Sequence, residues 1–193
     1  MATEVSICSN ALRRLGDSPI TSLTEDSERG RLCNAFYEPS RDAILRSHTW
    51  NFAINRANLA KLSTSPAFEY ANQFALPTDP FCLRVLKMEF EDYEFKIENL
   101  AGQGRVLLTD EGEAKIIYIA RVTDPSLFDS MFVDVLTAKL AVDLAYPVTN
   151  STTLQVQMQK LFERKLSEAR SLDSTEGSTD SLISTVFTDF RAP

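Results

Sequence analysis

Few side chains in this sequence could act as nucleophiles, bases or metal ligands, and they lie far apart along the chain. His48 is the only histidine. A single histidine at the end of a predicted helix is expected to cap backbone carbonyls rather than to catalyse. Cys8, Cys33 and Cys82 form no CxxC pair, so we expect three buried free thiols and neither a disulfide framework nor a zinc site. These residues predict no catalytic site, no metal and no cofactor.

Two short segments contain residue types that bind ligands in other proteins. Ala101–Arg105 includes a GxG pattern, but it lacks the third glycine and the following helix of a dinucleotide fingerprint. The acidic run Glu89–Glu94 matches no calcium loop in its spacing, so we expect a solvated strand or turn. A small enzyme with a carboxylate-based site stays an alternative, because acidic residues are plentiful and a carboxylate of raised pKa in a pocket would favour it.

The hydrophobic fraction and the net charge of the chain exclude some classes of protein. The chain has 193 residues, of which 44% are hydrophobic, so it can form a real core. Its net charge is −7, and such a surface repels nucleic acid and anionic membranes. We expect no signal peptide, because the first residues contain no basic region followed by an apolar one. We also expect no membrane span, because no apolar stretch is long enough.

Apolar residues recur at helical spacing at both ends of the chain. The pattern predicts helices over residues 3–15, 27–47, 127–146 and 151–172. Pro39 lies inside the second segment without changing its phase, which predicts one helix bent at the proline. Pro147 is expected to end the third helix.

The middle of the chain, at about 67–122, has the pattern of strands. Apolar and charged residues alternate around Phe95 and Ile97. Val106–Leu108 and Ile116–Ile119 are predicted to be two further strands, joined by a hairpin turn at Asp110–Glu113. Together with the apolar segments near Phe74 and Val85, these strands predict an antiparallel meander of four or five short strands.

The predicted fold class is therefore α+β. We expect a helical bundle of about four helices with an inserted small antiparallel β-domain and an extended C-terminal tail. Residues 1–172 would form the folded domain, and residues 173–193 would form a flexible tail that docks on a partner.

The third predicted helix is apolar on two opposite sides. Met131, Val135, Ala138 and Val142 share one of them when the residues are placed around a wheel. A helix of this kind must be covered on both sides, so we expect these four residues to form a subunit interface. The alternative is a central helix that its own fold covers completely.

The tail begins with small and polar residues and then becomes apolar. Its docking residues are predicted to be Leu182, Ile183, Val186, Phe187, Phe190 and Arg191. This much apolar surface within a terminal segment favours docking into a groove of a partner. The alternative is that the tail folds back on its own domain.

Four segments, in this order, carry a resemblance to a known family. They are CSNALRRLGDSPI followed by LTEDSERGRLCNAFYEPSRDAILRSHTWNFA between Cys8 and Ala53, LPTDPFCLRVL from Leu76, YIARVTDPSLFDSMFVDVLTAKLAVDLA from Tyr118, and SEARSLDSTEGSTDSL from Ser167. In their order and spacing they resemble the tail tubular protein A family, the head-to-tail adaptor proteins of short-tailed bacteriophages. The residues 89–105 carry the least resemblance.

The resemblance implies a structural virion protein of the tail and neck, made in the cytoplasm of the bacterial host, and not an enzyme. It implies a homo-oligomeric ring of twelve copies that connects the portal protein to a tail nozzle resembling tail tubular protein B. Genomic DNA would pass through the channel without specific binding, no membrane would be involved, and the C-terminal tail would reach the portal. Alternatives are an adaptor or head-completion protein of a long-tailed phage or prophage, a small cytoplasmic enzyme, and a regulatory module that binds a host protein.

Overall fold

The structure, a computed structural model, describes residues 2–176. It has four α-helices, α1 (Glu4–Arg14), α2 (Glu28–Ser47), α3 (Ser130–Thr149) and α4 (Thr152–Asp173). Its seven strands are β1 (Ile54–Asn58), β2 (Ala60–Lys61), β3 (Asn72–Ala75), β4 (Cys82–Met88), β5 (Lys96–Leu100), β6 (Gly104–Thr109) and β7 (Lys115–Ala120). The predicted α+β class is confirmed, with the sheets inserted between α2 and α3. The predicted docking residues of the tail, 182–191, lie outside the described residues.

Each helix begins at a residue that the sequence provides as a cap. The side chains of Thr3, Ser27, Asp129 and Ser151 accept hydrogen bonds from backbone N–H groups of the first turns. These bonds satisfy donors that have no partner within the helix, which fixes where each helix starts.

Both Pro39 and Pro147 lie inside helices that continue past them, although this was predicted only for Pro39. Helix α2 is continuous through Pro39, as expected. The prediction that Pro147 ends α3 is wrong, because the helix continues to Thr149. A proline in the last turn removes only one backbone donor, and the N–H of Asn150 still bonds to the carbonyl of Tyr146 at 2.8 Å. The helix ends at Asn150, whose φ of 52° places it in the left-handed region.

The strands form two antiparallel sheets rather than one meander. Their orders are β1-β7-β4 and β2-β3-β6-β5, and the strand region starts at Ile54, earlier than the predicted residue 67. The turn at Asp110–Glu113 does not close a hairpin, because β6 and β7 belong to different sheets. Each of these strands is central in its own sheet and is buried along most of its length. Continuous apolar runs are typical of strands covered on both faces, and this signal argued against a hairpin.

The molecule has two hydrophobic cores, and both β4 and β7 contribute residues to each of them. The first fills the helical bundle, and the second lies between the two sheets. Ile116, Tyr118 and Ala120 of β7 belong to the second core, whereas Ile119 of the same strand belongs to the first. The alternation of side chains along β7 therefore joins the sheets to the helices.

Helix α3 lies at the centre of the bundle and contacts α1, α2 and α4. Val135, Ala138 and Val142 are 1%, 0% and 7% exposed within the single protomer. Because these side chains are already covered, they are not available to a neighbouring subunit. The expected subunit interface is corrected on this point, and the alternative, a central helix covered by its own fold, describes α3.

Candidate interaction surfaces

Helix α4 leaves two large apolar side chains uncovered. Its main packing partner is α3, and Ala169 is its one fully buried residue. Met158 and Phe162 pack only partly against the core. Val156 is 55% exposed and Leu172 is 52% exposed. Exposed apolar residues on one helix indicate a surface that can contact a partner.

A surface cavity of about 660 Å³ lies where α3 and α4 meet. Met131 and Leu172 provide its apolar wall, and its polar rim is formed by Arg164, Ser167, Glu168 and Ser171. Met131 is the one predicted interface residue that reaches a surface, because the other three are buried beneath it in the bundle.

The last turn of α4 is fastened to the loop that follows α2. Nε2 of His48 lies 2.9 Å from Oδ2 of Asp173. The backbone N–H of Asn51 donates to Oδ1 of Asp173 at 3.1 Å, and its side-chain amide donates to the carbonyl of Asp173 at 2.7 Å. One turn earlier, Arg170 donates to the carbonyl of Ser47 at 3.2 Å. The tail therefore leaves the domain from a fixed point, which we call the α4 anchor (His48, Asn51 and Asp173).

The contact between His48 and Asp173 could not be predicted from the sequence, because 125 positions separate the two residues. A carboxylate beside an imidazole occurs in nucleophilic active sites, where the imidazole also contacts a hydroxyl or thiol. Within residues 2–176 the His48 ring has no hydrogen bond to serine, threonine or cysteine. It packs edge-on against Trp50, at 4.8 Å between ring centroids. The arrangement suits an anchor better than a catalytic pair.

A charged cluster ties three helices together. Asp134 of α3 pairs with Arg14 of α1, and with Lys165 of α4 at 3.0 Å. Burial raises the pKa of Asp134, but hydrogen bonds from Lys165 and Arg14 outweigh it and leave the pKa below its usual value. The hydrogen bonds that Lys165 donates to Asp134 and to Glu168 raise the pKa of Lys165. The ionised forms are therefore favoured, and the cluster holds α4 in place on α3.

Of the remaining candidates for chemistry, Cys8 and Cys33 meet in the core of the bundle, where the hydrogen bond between their side chains is the main cause that raises the pKa of the Cys8 thiol. Cys8, Cys33 and Cys82 are buried free thiols, as predicted, and burial is the main cause that raises the pKa of the Cys82 thiol. Across residues 2–176, no group of three or more histidine, cysteine, aspartate or glutamate side chains could hold a metal ion. In the same part of the chain, no helix has both the length and the apolar character needed to span a bilayer.

Comparison with known proteins adds no family to this picture. No protein-family model matches the chain, and no curated protein matches it either. The functional interpretation therefore depends on the four resembling segments and on the surfaces described above.

Proposed function

We propose that this chain is a structural head-to-tail adaptor of a tailed bacteriophage, not an enzyme. Copies of it form a ring, dodecameric in the related adaptors, that joins the portal to the tail nozzle and surrounds the DNA channel. The ring belongs to the neck of the virion and is made in the host cytoplasm. The alternative within the same class is an adaptor of a long-tailed phage or prophage.

The observation that carries the proposal is the α4 anchor at the start of the tail. Asp173 is held by three hydrogen bonds from His48 and Asn51, and the exposed Leu172 lies next to it. A segment that leaves a rigid domain from a fixed point can be presented to a partner at a defined position, with less entropy to lose on docking. This fits a tail that reaches the portal.

Two further features support the proposal. The α+β architecture, with a helical bundle and a small β-domain, is the one that the resemblance implies. The net charge of −7 suits the wall of a DNA conduit, because a wall that attracts phosphates would hold the genome back.

The test is binding of the full chain to the portal oligomer of the same phage. We expect a variant that lacks residues 177–193 to stay folded, because both cores lie within residues 2–176, and to bind the portal at least about tenfold more weakly. Phe187→Ser with Phe190→Ser should weaken binding in the same way. The matched control, Ser178→Ala with Thr179→Ala, changes two polar residues of the same segment and should bind like the parent chain.

Electron microscopy of the mixture should show a ring between the portal and the tail side. Unchanged affinity of the truncated chain would refute docking through the tail. Recovery of a host protein and no portal from an infected lysate would instead support the regulatory module.

A further inference from the structure

Three arginines converge in a cleft where the end of α2 meets the β-domain. Arg46 of α2, Arg84 of β4 and Arg105 of β6 line a cavity of about 400 Å³. Val85 and Ile97 add an apolar wall to it. We call this cavity the arginine cleft.

The positive charge of the arginine cleft is not neutralised by the residues around it. Arg46 and Arg105 donate to backbone carbonyls of Leu83 and Cys82, and Arg84 donates to the hydroxyl of Thr49 at 3.2 Å. Within residues 2–176, no carboxylate lies within ion-pair distance of the three guanidinium groups.

Two further observations indicate that the arginine cleft can bind an added anion. The one carboxylate in the lining, Glu98, pairs with Lys96 at 3.2 Å instead. Nε of Arg84 is buried without a hydrogen-bond partner. Guanidinium groups prefer carboxylate or phosphate acceptors, so the cleft is built to receive an anion that this part of the chain does not provide.

The opposite end of the β-domain has the complementary character. Its two neighbouring loops, 89–94 and 110–113, meet where the N–H of Glu89 donates to the carbonyl of Lys115 at 2.9 Å. We call these loops the acidic tip. Its seven carboxylates are those of Glu89, Glu91, Asp92, Glu94, Asp110, Glu111 and Glu113. Only two lysines, Lys87 and Lys115, pair with them.

The acidic tip also exposes an aromatic ring. Phe90 is 53% exposed and is held edge-on by Tyr93, at 5.1 Å between ring centroids. An exposed phenyl group among carboxylates matches both parts of the arginine cleft, the guanidinium groups and the apolar wall of Val85 and Ile97.

Within one protomer, the arginines of the cleft and the loops of the acidic tip lie at opposite ends of β4 and β6. Arg84 lies near the start of β4 and Glu89 follows its end, so about 17 Å of extended strand separates them. The two surfaces are therefore available to different copies. Contacts between two different patches of identical chains are heterologous, and they close into rings when the rotation between copies allows it.

We propose that the acidic tip of one copy docks in the arginine cleft of the next copy, and that this is the contact that builds the ring. The inference rests on the proposed function and names the partner surface within it. A second copy is favoured over nucleic acid because the chain, with a net charge of −7, repels a polyanion. The copy's own tip supplies carboxylates together with a ring for the apolar wall.

A charge swap tests the contact with the full chain. The tip variant, Asp92→Lys with Glu94→Lys and Glu113→Lys, reverses three exposed carboxylates without ion-pair partners in the described residues. Four carboxylates then face five lysines, the three new ones together with Lys87 and Lys115, so the tip becomes net positive. The cleft variant, Arg46→Glu with Arg84→Glu, reverses two members of the cleft. Each variant alone juxtaposes like charges, so we expect its self-association, measured by sedimentation velocity at about 0.05 M salt, to weaken at least about 100-fold.

An equimolar mixture of the two variants should associate again. The acidic cleft of one variant then meets the basic tip of the other, and the second contact of each pair is the native one. The matched control, Glu38→Lys with Glu163→Lys and Glu176→Lys, makes the same change in charge as the tip variant at exposed positions of α2, of α4 and beyond the end of α4. It should associate like the parent chain.

Several results would overturn the contact. They are a parent chain that stays monomeric at every concentration, a tip variant that associates like the parent, and a mixture that stays monomeric. Association that rises when residues 177–193 are deleted would assign the cleft to the chain's own tail. Portal binding is measured in parallel, because a failed contact with intact portal binding leaves the proposed function standing, whereas association without any portal binding refutes the function alone.

Discussion

Replacing Asp134 by asparagine should loosen the attachment of α4 to the rest of the bundle. The carboxylate of Asp134 pairs with Arg14 on α1 and with Lys165 on α4. The substitution Asp134→Asn keeps the size of the side chain and removes its charge. It leaves Arg14, whose Nη1 is buried without a partner, with no carboxylate at this position.

The size of the effect follows from the burial of the cluster. The Asp134 side chain is 30% exposed, so its hydrogen bonds are worth less than the ~1.5–3 kcal/mol typical of buried bonds to charged groups. They are worth more than fully exposed ion pairs, which contribute up to ~1 kcal/mol. With two such pairs, to Arg14 and to Lys165, at about 1 kcal/mol each, we expect a loss of about 2 kcal/mol in the free energy of unfolding. With a urea m-value of about 2 kcal/mol/M, the unfolding midpoint falls by about 1 M.

The assay is urea unfolding followed by circular dichroism at several pH values. Because the pKa of Asp134 is lowered in the folded state, its contribution is complete above the unfolded pKa of about 3.9. The contribution is lost as the pH falls through the folded pKa. The difference between the parent chain and Asp134→Asn should therefore be largest near pH 7 and shrink below about pH 4.

A nearby carboxylate provides the control. Glu168 also pairs with Lys165, at 3.3 Å, but its side chain is 46% exposed. Glu168→Gln should change the midpoint only slightly, because exposed pairs contribute little. A variant Asp134→Asn that unfolds within about 0.3 M urea of the parent, or a difference that does not change with pH, would show that the cluster does not hold the bundle in this way.

Two further predictions concern α3 and the α4 anchor. Ala138→Leu should destabilise the isolated protomer by about 1–3 kcal/mol, because Ala138 is fully buried in its own bundle; an unchanged thermal midpoint with altered self-association would place Ala138 between subunits instead. His48→Ala should speed hydrogen exchange in the last turn of α4 about fivefold or more, because one bond of the anchor is lost. Equal protection of that turn in the parent and the variant would show that His48 does not fasten it.

The helices could be predicted from the sequence because their signals are local. Caps at Ser27 and Ser151 and apolar residues at helical spacing fix where α2 and α4 lie. The end of α3 was predicted at Pro147, but the helix ends at Asn150. A single proline in a last turn removes only one backbone hydrogen bond and does not by itself end a helix.

Strand pairing could not be predicted in the same way, because it depends on residues far apart in the chain. Ile116–Ile119 was predicted to be a strand, yet the partners of β7 are β1 and β4 and not the preceding strand. Its continuous apolar character does predict burial on both faces, but it does not say which strands provide the cover.

The surfaces show the same division between local and distant information. Two apolar sides on α3 indicated burial correctly, but the sequence could not tell whether α1, α2 and α4 or another subunit would cover them. The arginine cleft brings together Arg46, Arg84 and Arg105 from three elements. No spacing in the sequence predicts that these three arginines lie together, because their proximity depends on how the sheets pack against α2.

The two strands that belong to both cores, β4 and β7, prevent the β-domain from being separated from the helical bundle without damage to both. If the chain were shortened by joining residue 53 directly to residue 121, the helical bundle would lose Leu83 and Ile119 from its interior and gain a hole there. An excised β-domain would in turn expose the outer face of β7 to water. The β-domain is therefore an integral part of the fold and not a separable module. A force applied to its far end is transmitted to the helices through the closely packed shared strands.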